Sequence, residues 1–112
     1  MKNKLFPKYL PEGSSGDAVL FLQLMIIAQE GKPSLVIADG DYTIGGKTGD
    51  YVAALQGRHN IEQDRNFGPQ TRVAFYAETG IDVNKIETDG NTVTIAEQPN
   101  VQGTYGGQLG QA

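Results

Sequence analysis

One phrase is written in this chain two and a half times, and a reused unit constrains a fold more than any other feature of a sequence. Gly16-Asp17-Ala18-Val19-Leu20-Phe21-Leu22-Gln23 reads G-D-x-V-x-x-L-Q, and Gly49-Asp50-Tyr51-Val52-Ala53-Ala54-Leu55-Gln56 reads the same. The register extends upstream, with Gly13 falling on Gly46 and Ser15 on Thr48. A partial third copy, Phe67-Gly68-Pro69-Gln70-Thr71, matches the entry Gly45-Gly46-Lys47-Thr48 and puts Phe75 where Val52 stands. In a helix, residues three apart share a face, so Val19 with Leu22 and Val52 with Leu55 form matching apolar ridges. Two such helices related by an approximate two-fold axis would press those ridges together.

Helix boundaries follow from capping chemistry. Ser14 or Ser15 is expected to cap a first helix whose opening turn holds Asp17, and Gly31 with Pro33 ends it near Glu30. That helix is apolar nearly all round, the pattern of one enclosed by others, and its ordinary reading is core. Ser34 to Ala38 is a β-branched connector into the turn Asp39-Gly40-Asp41-Tyr42. A second helix starts around Gly46-Lys47-Thr48 and ends between Gly57 and Asn60. A third starts at Pro69, where a missing N–H does no harm, and stops before Gly80. Val73, Ala74 and Ala77 are expected to face the other two.

The rest of the chain differs in kind. Residues 1–12 read as an irregular lead shaped by Pro7 and Pro11. In residues 81–97, Ile86 to Ile95 alternates about Asp89-Gly90, the strongest short hairpin signal. Residues 98–112 are rich in Gly and Gln, the composition of a flexible tail. The expected architecture is therefore all-α: a compact three-helix bundle over residues 13–80, with a C-terminal hairpin and an extended tail.

Charge and composition exclude several roles. The net charge of −4 arises late: residues 1–72 hold eight basic and eight acidic side chains, whereas Lys85 alone faces five acids beyond them. That is not the basic footprint of a nucleic-acid binder. The chain has no cysteine and a single histidine, His59, too few ligands for a zinc site, so no metal and no cofactor is expected. The basic start, Met1 to Lys8, lacks an apolar core and is not a secretory signal. No apolar run is long enough for a membrane span.

The order G-x-x-G-x-x-V-x-x-L-Q, then D-G, then G-x-x-T-x-x-x-V-x-x-L-Q, then D-x-x-F-G-P-x-T resembles the peptidoglycan-binding domain family found beside bacterial and phage cell-wall hydrolases. Here those residues are Gly13, Gly16, Val19, Leu22 and Gln23; Asp39 and Gly40; Gly45, Thr48, Val52, Leu55 and Gln56; and Asp64, Phe67, Gly68, Pro69 and Thr71. The resemblance covers about residues 9–80. It implies a compact three-helix domain with internal pseudo-two-fold symmetry, non-catalytic, that targets a linked enzyme to the wall. Three departures stand out. Two extra residues enlarge the loop holding Tyr42, Arg65 replaces the glycine expected after Asp64, and residues 81–112 have no counterpart.

A wall ligand presents amides, hydroxyls and carboxylates, so its groove needs a few aimed polar groups and an aromatic plate. The loops offer Tyr42, Tyr51, His59, Asn60, Asn66 and Arg72, with Arg72 suited to a stem-peptide carboxylate. The plainer readings are surface for most of these and a helix C-terminal carbonyl partner for His59. The two L-Q glutamines and the acids Asp39 and Asp64 read first as loop fasteners. No carboxylate is embedded in an apolar run that would raise its pKa for acid work, so no lytic activity is expected. The expected function is a non-catalytic peptidoglycan-binding module, contacting glycan or stem peptide, at the cell envelope, outside the cell or in a virion. The alternative is a structural protein of a phage particle that uses this fold for protein contacts, with residues 81–112 meeting other virion or envelope proteins.

Overall fold

A computed structural model describes residues 2–31, 34–90 and 92–95. Glycine and proline punctuation sets its helices: α1 (Asp17–Glu30), α2 (Lys47–Arg58) and α3 (Pro69–Thr79). Each opens on a glycine, Gly16, Gly46 or Gly68, with no side-chain cap. The expected serine cap is thus corrected: Ser14 Oγ instead donates to Pro11 O at 2.7 Å. Val19, Leu22, Val52 and Leu55 are all fully buried and share one core. In α3 the inward residues are Thr71, Arg72, Ala74 and Phe75, while Val73 and Ala77 face solvent, contrary to expectation. Phe75 sets that phase, since its ring meets Phe67 edge-on at 5.5 Å.

The all-α expectation is corrected by a three-stranded antiparallel sheet, which makes this a small mixed α/β domain. Its strands are β1 (Asn3–Lys4), β2 (Ile86–Thr88) and β3 (Val93–Ile95), in the order β1-β2-β3. A short 3-10 turn, Val83–Lys85, feeds β2. The hairpin across Asp89-Gly90 forms in the expected place, pairing Ile86 with Ile95 and Thr88 with Val93. It is no appendage, because Ile86, Val93 and Ile95 belong to the same core as the helices. A lone hairpin is marginal in water, and here β1 and the core stabilise it. The lead is not irregular throughout either. Leu5 N–H donates to Ile86 O at 3.0 Å, buried Phe6 anchors the segment, and Leu10 bridges Phe67. The expected tail, 98–112, lies outside the described residues, as do residues 96 and 97 of the hairpin segment.

Candidate functional site

The two loops that follow the L-Q phrases are fastened by the same set of hydrogen bonds. In the first, Gln23 Nε2 lies 3.1 Å from Asp39 Oδ1, 3.0 Å from Asp41 O and 3.0 Å from Thr48 Oγ1. Its Oε1 accepts from Gly40 N–H at 2.7 Å, and Asp39 Oδ1 also accepts from Asp41 N–H at 3.0 Å. In the second, Gln56 Nε2 lies 2.8 Å from Asp64 Oδ1, 3.0 Å from Asn66 O and 3.0 Å from Thr71 Oγ1. Its Oε1 accepts from Arg65 N–H at 3.0 Å, and Asp64 Oδ1 accepts from Asn66 N–H at 2.9 Å. Both amides are about 1% exposed, so these bonds satisfy groups that would otherwise be buried unpaired. Glutamine is required because its amide offers both donors and an acceptor at one tip.

The departure at Arg65 has a geometric consequence. Gly40 and Arg65 occupy the same place in their loops, with φ of 73° and 67°. A side chain there costs about 1–2 kcal/mol. Arg65 is held by its own bonds: Nε to Glu12 Oε2 at 2.8 Å, and Nη2 to Asp50 Oδ1 and Gly46 O at 2.9 Å each. This network passes over α2 at Gly49, where a Cβ would stand 2.8 Å from Arg65 Nη2. The repeated Gly-Asp of the second phrase therefore needs its glycine for clearance.

The six residues expected to form a groove do not converge. Tyr42 is fully buried at the place in the first loop that Phe67 holds in the second, and its hydroxyl donates to Arg65 O, tying one loop to the other. Burial pushes its phenol pKa up. Arg72 is 4% exposed, stacked 5.5 Å over Phe67 and 5.8 Å over Phe6, and donates to Asn84 Oδ1 and Pro7 O. It is a core cation, closed to a ligand carboxylate. His59 Nε2 meets Glu78 Oε2 at 2.7 Å rather than helix carbonyls. Exposed Asn60 forms the left-handed turn after α2, at φ 57°. Asn66 Oδ1 accepts from Glu12 N–H at 2.9 Å and stands at the rim of a cleft of about 270 Å3 beside half-exposed Tyr9.

Of the six, Tyr51 alone reaches a cleft of about 470 Å3 between the end of α1, the connector after it and α2. Leu35, Val36 and Ala54 supply its apolar wall. Its charges are Glu30, Lys47, Asp50, Arg58 and Glu78. Arg58 holds Glu78 through two parallel bonds of 2.9 Å, and that contact keeps the Glu78 carboxyl below its ordinary pKa. Lys47 is only loosely paired with Asp50, at 3.7 Å, and its side chain is 60% exposed. Sequence reasoning missed this wall, although its signal was present. Lys47, Tyr51, Ala54 and Arg58 recur at steps of four, three and four, one face of a helix.

A second cleft of about 230 Å3 lies over the first fastener, walled by Leu35, Ile37 and Thr43. Among the described residues no group of three or more Asp, Glu or His side chains gathers to hold a metal ion. Nor is any described helix long and apolar enough to cross a membrane. Neither a protein-family model, nor a curated protein, nor a solved structure matches the chain.

Proposed function

We propose that this chain is a non-catalytic peptidoglycan-binding module. The carrying observation is that the residues behind the family resemblance act together. Gln23, Asp39 and Thr48, and then Gln56, Asp64 and Thr71, build two matching loop frames, each with an open cleft beside it. A motif matched by chance composition would have no reason to repeat its hydrogen bonds.

The non-catalytic part rests on the acids. Glycoside cleavage needs one carboxyl held protonated near neutral pH. Here three described carboxyls, Glu12, Asp39 and Glu78, are held below their ordinary values. At Glu12 burial alone would raise the value, but Arg65 and the Gly45 N–H outweigh it. At Asp39 the Asp41 N–H and then Gln23 lower it, and at Glu78 Arg58 does. The reading of a particle structural protein draws on a different feature, the aliphatic side chains Leu35, Ile37 and Ile44, each 69–75% exposed near the entry to α2.

Co-sedimentation of the pure chain with purified sacculi tests the proposal. Saturable sedimentation without release of soluble muropeptides is expected. A chain that stays in the supernatant and self-assembles or captures envelope or virion proteins would favour the structural reading, and released muropeptides would favour an enzyme.

A further inference from the structure

The two clefts beside the loop frames are not equivalent. The first is walled by the aliphatic chains of Leu35 and Ile37. The second carries an aromatic ring, that of Tyr9, which is 49% exposed. Its surroundings fix that ring in place. It lies against Gly68, where a Cβ would stand 3.0 Å from its Cδ1 and 3.1 Å from its Cε1. The next residue, Leu10, exchanges two backbone hydrogen bonds with Phe67, of 3.2 and 2.9 Å. An exposed ring that is already ordered can take a flat ligand with little further loss of side-chain freedom.

The polar lining selects the ligand class. Glu62 and Gln70 are exposed, and their side chains make no hydrogen bond or ion pair among the described residues. Both frame bonds to Asp64 fall on Oδ1, and Glu12 N–H meets Asn66 on Oδ1. Asp64 Oδ2 and Asn66 Nδ2 are therefore open. Amide donors and acceptors beside carboxylate acceptors are the complement of neighbouring hydroxyls and an acetamido group. Among the described residues that line the cleft, no cation balances Glu62 and Asp64, so an anionic stem peptide would meet repulsion there. At about 270 Å3 the cleft falls just under the ~300–1,000 Å3 of drug-sized sites, which suits a single sugar residue.

We propose that this second cleft is a subsite for one uncharged N-acetylhexosamine residue, stacked on Tyr9 and hydrogen-bonded by Gln70 and the open atoms of Asn66 and Asp64. Resting on the wall-binding reading, that residue is an N-acetylglucosamine of the peptidoglycan glycan, and the subsite reads the glycan rather than the stem peptide.

Titration of the 15N-labelled full chain with an N-acetylglucosamine tetramer tests this, with a stem pentapeptide and tetralysine as contrasting probes. Saturable shifts at amides of residues 8–10 and 61–71 are expected from the tetramer alone. Added salt should not weaken them, because the sugar is uncharged. Tyr9→Ala should abolish saturation at millimolar tetramer, whereas Tyr9→Phe should keep it, since stacking needs the ring and not the hydroxyl. Gln70→Ala should weaken binding about three- to tenfold, the worth of one hydrogen bond, and leave the urea midpoint unchanged. Equal tetramer affinity in Tyr9→Ala, or shifts at these amides from the pentapeptide or tetralysine and not the tetramer, would overturn the assignment. Sacculus sedimentation separates the two claims. Chains that sediment but ignore the tetramer sink the subsite and leave wall binding standing. Chains that bind the tetramer through Tyr9 but not sacculi do the reverse.

Discussion

Replacing Gln56 tests the loop frame where its physics is most exposed. Gln56→Leu keeps roughly the volume but removes three donor contacts, to Asp64, Asn66 and Thr71, and one acceptor contact from Arg65 N–H. The amide has two N–H donors to share among the three acceptors and one accepting oxygen, so about three bonds at about 0.5–1.5 kcal/mol each set the gross loss at ~1.5–4.5 kcal/mol. Water reaches the exposed Asp64 side, and burying leucine returns about 1–2 kcal/mol. The net loss should be about 1–3 kcal/mol, a sizeable part of the ~5–15 kcal/mol a domain commands. Urea unfolding followed by circular dichroism reads it as a midpoint lowered by about 1 M. Gln56→Glu sharpens the test, since it places a carboxylate among three acceptors beside Asp64. That carboxyl's folded pKa must rise above its unfolded value. Its protonated form is favoured at low pH, and the stability it contributes is lost as pH rises through the folded pKa. The Glu variant should therefore be worse than Leu at pH 7 and recover toward it as pH falls below about 5. A loss under about 0.5 kcal/mol for Gln56→Leu, or no pH difference between the variants, would refute the fastener reasoning.

Other perturbations follow from the same geometry. Arg72→Ala should destabilise by about 2–4 kcal/mol by urea unfolding, because it removes a buried stack and two hydrogen bonds; a surface arginine would cost nothing measurable. Arg65→Ala and Arg65→Gly lose the same ion pairs, but the glycine variant should be more stable by about 1 kcal/mol, since it alone relieves the left-handed backbone. Glu78 has a depressed folded pKa, so its contribution is present above its ordinary value near 4.5 and lost as pH falls through the lower folded value. Glu78→Gln should accordingly flatten the acid limb of a stability-against-pH curve, which thermal melts between pH 3 and 6 would show.

Much of the frame was legible because it is local. Gly31, Pro69 and Gly80 punctuate helices, Asp89-Gly90 turns a hairpin, and Val19, Leu22, Val52 and Leu55 announce their faces by spacing alone. What escaped depends on distant partners. β1 is two exposed polar residues with no alternation to read, and it is a strand only because β2 offers an edge. Arg72 looks like a surface cation until Pro7, Phe6 and Phe67, from far along the chain, close around it. Tyr42 reads as a loop aromatic, yet the two extra residues of its loop still let it take the buried place that Phe67 takes in the other. The cleft beside α2 was missed for a related reason. Its wall, Lys47 to Arg58, was read for the inward ridge of α2 and not for the opposite stripe.

Titrating the 15N-labelled chain with a soluble disaccharide-pentapeptide tests wall recognition most directly. Saturable shifts clustered at backbone amides beside the two loop frames, residues 37–48 and 61–71, are the predicted result. Unmoved amides throughout, at millimolar ligand, would contradict it.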